Sequence, residues 1–207
     1  ATGLYAADGT TLSPLVNAFL PRFVLWSDGA EKDRYVYLPP CTTIDTSDPD
    51  HWSFPVGTRL WKRFSVGGKA VETRLLVVRA DGQVSYATYE HSADGKTTKR
   101  VKEGSLSVNG TTHDIPSETL CSTCHGVLPE RVLGFGTVQL SHSAAGQTLE
   151  VLTAAKRLSA PIPAFTVPGD EKTVAALGYL HANCGNCHND KQIFPSGFHL
   201  RLAVGDG

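Results

Sequence analysis

The 207-residue chain contains no methionine. That excludes any metal centre within it that depends on a methionine thioether. It also leaves the chain without an initiator, as expected of a processed product or a piece of something longer. Long apolar runs are missing as well. None approaches the roughly 20 residues that a membrane-spanning helix needs, so no transmembrane span is expected here. Neither sign of charge dominates, with 19 Lys and Arg against 20 Asp and Glu. A nucleic-acid or polyanion binder would show a basic excess, and none is expected as a partner. Cysteine is scarce and odd in number, at five, whereas a secreted disulfide framework would use an even set.

Four of those cysteines fall into two matching pentapeptides, Cys121-Ser-Thr-Cys124-His125 and Cys184-Gly-Asn-Cys187-His188. C-x-x-C-H is the covalent attachment pattern of c-type haem. Two thiols one helical turn apart share a face, so each can add across a haem vinyl group. The histidine that follows is then delivered to iron as its proximal ligand. The competing reading is one structural zinc held by both pairs. Such sites separate the pairs by about 15–20 residues, far less than the stretch 125–183, and they have no use for a histidine after each pair. Two covalently attached c-type haems are the expected cofactors, bound through Cys121, Cys124, His125, Cys184, Cys187 and His188. Without methionine, each iron must be bis-histidine, five-coordinate, bound by an unusual group, or completed from outside these residues.

Along the chain, Leu12–Leu20 reads as a short helix or apolar anchor, and Phe23–Trp26 and Arg34–Leu38 as strands. Thr58–Phe64, the Gly67-Gly68 turn and Ala70–Arg79 read as a hairpin. Asp81-Gly82 leads into another strand, Val84–Glu90, and Lys99–Asn109 adds a weak one. Strand following strand across tight turns predicts an antiparallel sheet or sandwich. The texture changes near Ile115-Pro-Ser117. A helix start leads into the first motif, Thr148–Leu158 has helical spacing, and Asp170 caps a helix from Glu171 to His181 that runs into the second motif. The fold class expected is α+β, with a β-rich domain over 1–114 and an α-helical, cytochrome c-like dihaem part over 115–207 that could extend past 207.

His125 and His188 are the proximal ligands in this reading. His181 lies about two helical turns before His188, on the same side of its helix, so it would serve the other haem. His142, in the loop-like Gln139–Ser143, is the next candidate for iron, and His199 a third. His51, His91 and His113 fall in β-rich sequence and read as surface imidazoles. Cys41 reads most simply as a buried thiol. Asp28, Glu31 and Lys32 beside Trp26, together with Glu72 and Arg74, form a polar cluster. It reads either as a substrate or cation site or as solvated charges with a cross-strand ion pair.

Several stretches together resemble a bacterial family. They are Leu25–Lys32, Phe54–Lys62, Val71–Leu75, Ile115-Pro-Ser117, Cys121–Gly126 and Tyr179–Asn189. The family comprises exported or lipid-anchored proteins with two C-x-x-C-H motifs, dihaem and c-type cytochrome-like. The resemblance implies covalent haem at both motifs and a location in the bacterial periplasm or outer cell envelope, with a signal or lipid anchor upstream. It says little about activity. Cys41 and Tyr89-Glu-His91 depart from its pattern.

The leading expectation is therefore an extracytoplasmic dihaem c-type cytochrome that transfers electrons between redox partner proteins. One alternative is a haem enzyme, a peroxidase or a small-molecule reductase with one five-coordinate iron. There Glu90, Glu118 or His142 would be the candidate acid/base group. The other alternative is a haem-based sensing or docking module.

Overall fold

A computed structural model describes residues 2–191 and 197–204. The chain folds as two compact units, each assembled from separate segments. Unit one comprises Ala1–Phe19, Ser27–Thr42 and Pro55–Cys121, and unit two comprises Leu20–Trp26, Thr43–Phe54 and Ser122–Gly207. The chain crosses for the last time into the second unit after Cys121. Two earlier stretches, 20–26 and 43–54, nevertheless belong to the second unit.

Unit one is one antiparallel sheet of six strands in the order β1-β2-β3-β4-β5-β6. The strands are β1 (Val16–Ala18), β2 (Glu31–Tyr37), β3 (Arg59–Val66), β4 (Lys69–Val78), β5 (Val84–His91) and β6 (Thr98–Arg100). It is a meander, with every strand paired to its sequence neighbour, and not a sandwich. Gly67 and Gly68, at φ 56° and 76°, close the β3–β4 hairpin. A two-residue turn of this kind needs positive φ at both positions, which glycine adopts without a Cβ penalty.

The strands alternate two faces. On one face Tyr35, Trp61 and Leu75 stand opposite one another across β2, β3 and β4. The N-terminal segment covers them with Leu4, Tyr5, Leu12 and Val16. Trp61 is buried there, and its indole N–H has no hydrogen-bond partner among the described residues, a cost of about 1–3 kcal/mol offset by the ring's burial. Beyond the irregularity at Phe64/Ser65, a second cluster gathers Phe64, Val71, Val101, Val108 and Ile115.

Unit two has less regular structure. Its helices are α2 (Thr137–Leu140), α3 (Leu149–Ala154) and α4 (Glu171–Asn183), while α1 (Cys121–His125) begins on the last residue of unit one. The unit's core joins Val138, Phe165 and Val167 to Phe23, Val174, Leu177, Leu202 and Val204. A second apolar knot sets Trp52 and Phe54 edge-on to Phe135, with ring centres 6.2 and 6.0 Å away. The Asp170 carboxylate accepts the Thr173 N–H at 2.9 Å and so caps α4. On α4, a Cβ added at Gly178 would lie 2.0 Å from the Phe23 ring, so the helix sits on that ring where only glycine fits.

Four local expectations change. Leu12–Leu20 contains a strand, β1, because Val16–Ala18 find ladder partners at Tyr35–Tyr37. Phe23–Trp26 forms no strand: its backbone is held by side chains, with the Phe23 N–H on Gln139 and the Trp26 N–H on Asn183. The weak strand at Lys99–Asn109 shrinks to β6 and a turn at Val108–Gly110. Cys41, read as buried, is exposed. The α+β class stands. No described helix is long and apolar enough to cross a membrane.

Candidate functional site

The first motif forms α1 itself. A single 3₁₀ turn, Glu118–Leu120, feeds directly into it, and the Gly126 N–H closes it on the Ser122 carbonyl. A Cβ at Gly126 would lie 2.5 Å from that same carbonyl oxygen, so the residue after the motif must be small. Cys121 and His125 are half-buried and Cys124 is exposed.

His125 Nδ1 lies 2.7 Å from the Arg131 carbonyl. A carbonyl only accepts, so the proton is on Nδ1 and the imidazole lone pair is on Nε2, the nitrogen iron takes. Arg131 holds φ at 53°, a left-handed conformation that costs a non-glycine residue about 1 kcal/mol or more. That cost falls on the residue whose carbonyl orients the histidine.

The second motif continues from the end of α4. The Cys184 and Gly185 N–H groups both bond the Leu180 carbonyl, and the His188 N–H bonds that of Cys184. A returning segment packs onto this turn. Leu200 donates to the His188 carbonyl, and a Cβ on Gly185 would meet the Arg201 backbone at 2.9 Å. The Cys187 thiol pKa is raised by burial first, then by the nearby Cys124 and Cys184 thiols. Cys124 and Cys187, one from each motif, are therefore neighbours within unit two.

The other predicted iron ligands are held differently. His181 is buried, and its Nδ1 accepts the Leu202 N–H at 3.1 Å. Burial, helped by the Arg201 charge, pushes its pKa down to about 4, so it is neutral with its proton on Nε2. His142 accepts the Ala144 N–H at Nδ1 and donates from Nε2 to the Leu20 carbonyl at 2.7 Å. Both stand in the tautomer opposite to that of His125, and iron binding through Nε2 would require each to move its proton. His199 is exposed.

The expected surface imidazoles are not on the surface. His91 bonds the Thr73 hydroxyl at 2.8 Å, with its pKa lowered by burial. His113 bonds Glu72 at 2.8 Å and stacks obliquely on Phe64. His51, in unit two, bonds Glu130 at 2.8 Å. Of the acid/base candidates, Glu118 is clamped by Arg100 at 2.7 Å, which holds its carboxyl below the usual range, and Glu90 lies 3.9 Å from Lys99.

Two buried carboxylates organise clusters that the sequence did not reveal. Glu130 receives both His51 and Arg201, the latter at 2.8 Å, and Arg201 also donates to the Asp50 carbonyl. Asp50 in turn accepts the Val204 N–H, so this group pins the returning segment beside the second motif. In unit one Glu72 is fully buried and takes Arg74 and His113 together. Arg74 is two residues along the same strand, so the pair runs along β4 and not across strands.

Apolar side chains stand exposed next to both motifs. Leu106 and Leu120 line an open groove of about 570 Å³ with Ile115 and Pro116, ending at the residue before Cys121. Val24, Leu25, Trp26 and Tyr179 are exposed around Asn183, whose amide ties the Val24–Trp26 backbone to the end of α4. Among the described residues, no group of three or more His, Cys, Asp and Glu is arranged to hold a bare metal ion. A four-thiolate zinc needs such a group; a haem iron arrives with its four equatorial nitrogens already in place. No protein-family model, curated protein or solved structure matches this chain.

Proposed function

We propose that the chain is an extracytoplasmic dihaem c-type cytochrome that passes electrons between redox partner proteins. Haem would be attached through Cys121 and Cys124 and through Cys184 and Cys187, with His125 and His188 as proximal ligands. The observation that carries this reading is the Nδ1 bond from His125 to the Arg131 carbonyl at 2.7 Å, directly after a C-x-x-C turn. It selects the ligand tautomer and fixes the ring before any iron arrives. Two further observations support it. Cys124 is close enough to Cys187 to help raise its thiol pKa, after burial, which suits transfer between two irons. Leu106, Leu120, Trp26 and Tyr179 are exposed beside the motifs, where a porphyrin plate would bury apolar surface at about 25 cal/mol per Å². Bound haem would supply the one-electron iron couple. The chain's own part is to hold the imidazole, exclude water and set the surrounding charge. A periplasmic or outer-envelope location and membership of the dihaem, cytochrome-like family belong to the same proposal.

A second reading is a haem enzyme or sensor with one open iron position. It is favoured by the tautomers of His181 and His142, whose Nδ1 atoms each accept a backbone N–H. One experiment separates the readings: absorption spectra of the protein made with haem-attachment machinery, oxidised and reduced, with haem counted as the pyridine haemochrome. Two covalent haems with low-spin bands unaltered by carbon monoxide support electron transfer. A high-spin component that binds carbon monoxide selects the second reading. The absence of any Soret band rejects both.

A further inference from the structure

A neutral imidazole offers iron one lone pair, and the hydrogen bonds on its ring nitrogens decide which. His181 and His142 use the Nδ1 lone pair to accept a backbone N–H. His91 and His113 spend Nε2 on Thr73 and Glu72. His51 does neither. Its Nδ1 lies 2.8 Å from Glu130, whose other oxygen accepts Arg201 at 2.8 Å. A carboxylate paired with a guanidinium only accepts, so the proton is on Nδ1 and the lone pair is on Nε2. That Nε2 makes no hydrogen bond among the described residues. Asp190 Oδ1 is 3.9 Å from it, and the other Asp190 oxygen pairs with Lys191 at 2.7 Å. An imidazolium here would hold its second N–H beside Asp190 without reaching it.

The ring is held on every side by unit two. Its backbone N–H bonds Asp48. On one flank, Asp50 takes the Arg201 side chain on its carbonyl and the Val204 N–H on its carboxylate. On the other, Trp52 is buried with its indole N–H on Thr137. The same neighbours lead to both motifs. Glu130 precedes Arg131, whose carbonyl orients His125. Arg201 follows Leu200, whose N–H bonds the His188 carbonyl, and Asp190 is two residues beyond His188. With Nδ1 turned to Glu130 and Nε2 to Asp190, the free lone pair lies on the side of the second motif.

We propose that His51 is the axial ligand opposite His188 on the haem attached at Cys184 and Cys187. This deepens the function proposed above and rests on it. Glu130 is the positioning residue. Its carboxylate on the Nδ1–H fixes the tautomer and strengthens Nε2 as a donor to iron, the part that the Arg131 carbonyl plays for His125. An imidazole on each side leaves that iron no open position, so it carries electrons and takes no substrate.

The test uses the full haem-loaded chain, the His51→Gln and His51→Met variants, and two readouts, absorption spectra and the midpoint potential of each haem. His51→Gln keeps an N–H for Glu130 but gives iron no imidazole, so a histidine that only holds Glu130 would leave the spectra unchanged. The expected result is that one haem turns from low-spin to high-spin, binds carbon monoxide, and returns to low-spin when imidazole is added. The haemochrome count stays at two. His51→Met offers a thioether to a chain that has no methionine of its own. It is expected to raise one midpoint, as His/Met ligation does, and to leave the other. Added to Cys184→Ala, which keeps the first haem alone, His51→Gln should change nothing further. A spin change there places His51 on the other iron and overturns the assignment. Unchanged bands in His51→Gln, or unchanged midpoints in His51→Met, overturn the proposal and leave the electron-transfer function standing. A haemochrome count of zero ends both. Should one variant fail to fold by circular dichroism, the other decides.

Discussion

The two units are built on different principles. Unit one is held by backbone: six strands in sequence order, each hydrogen-bonded to its neighbour. Unit two has four-, six- and thirteen-residue helices separated by irregular chain, and side chains hold it together. Gln139 and Asn183 fix Phe23 and Trp26, Ser141 fixes Phe165, and Glu130 fixes Arg201. A ladder distributes stability over many equivalent bonds, whereas a pinned set of loops concentrates it in a few. The unit with both motif histidines, His125 and His188, is the pinned one. On the proposed function, haem would add the large apolar element that its short helices do not provide.

On the proposed function, the strongest way to break this contrast is to remove a thiol that would attach haem. Cys184→Ala is expected to leave one covalent haem instead of two and to loosen unit two while the sheet stays intact. Hydrogen exchange should show lost protection in α4 and 197–204 and unchanged protection in β2–β5. Two normal haems in Cys184→Ala would end the motif assignment, and an equal loss in the sheet would end the contrast between the units.

The buried carboxylates come next. Glu130→Ala leaves His51 and Arg201 without their shared partner, an expected loss of about 3–5 kcal/mol for a broken buried ion pair, read by urea unfolding of unit two. Glu72→Gln keeps its shape and one acceptor for His113 or Arg74, so about 2–3 kcal/mol is expected. That loss should appear in the sheet. The ranking follows from the setting: the strand still holds Glu72's backbone, whereas Glu130's segment has no ladder to fall back on.

How much was legible in the sequence follows the same divide. Strands β2 to β5 could be read because alternation and the Gly67-Gly68 and Asp81-Gly82 turns are local signals. The helix α4 with its Asp170 cap was readable for the same reason, as were both motifs. What could not be read depended on partners far along the chain. Phe23–Trp26 has strand composition, yet its hydrogen bonds go to side chains at 139 and 183. His113 resembled a surface imidazole until β4 brought Glu72 beneath it. Lys32 and Arg34 share a face by their spacing alone, but only the register adds Lys62 and Arg74. The tautomers of His125 and His181 rest on single backbone groups, Arg131 and Leu202, which no residue-type pattern marks.

Charge on the sheet gives a pH test. The Lys32 pKa is about 8 in the folded chain against an ordinary 10.5. Between those values the unfolded chain binds the extra proton, so this group makes stability rise as pH climbs from about 8 to about 10.5. Below pH 8 its full cost is present. Lys32→Met should remove that rise and stabilise the protein at neutral pH, seen as the difference between parent and variant in urea midpoints at pH 7 and 10. Equal differences at the two pH values would rule out a lowered pKa for Lys32.

The smallest effect expected sharpens the comparison most finely. Asp170 caps α4 through the Thr173 N–H, and losing an N-cap costs about 1 kcal/mol. The second motif hangs from the opposite end of that helix, where Leu180 accepts from Cys184 and Gly185, and the 197–204 segment clasps it through Leu200 and Arg201. If the clasp holds the motif, Asp170→Ala frays only the first turn of α4. Stability then falls by that amount, and on the proposed function the absorption bands of a haem at Cys184 do not change. If instead the helix holds it, the same small loss reaches the motif, and those bands broaden or shift along with the melting curve. A one-residue change at Asp170, about four helical turns before Cys184, thus distinguishes a motif carried by regular structure from one carried by side-chain pins.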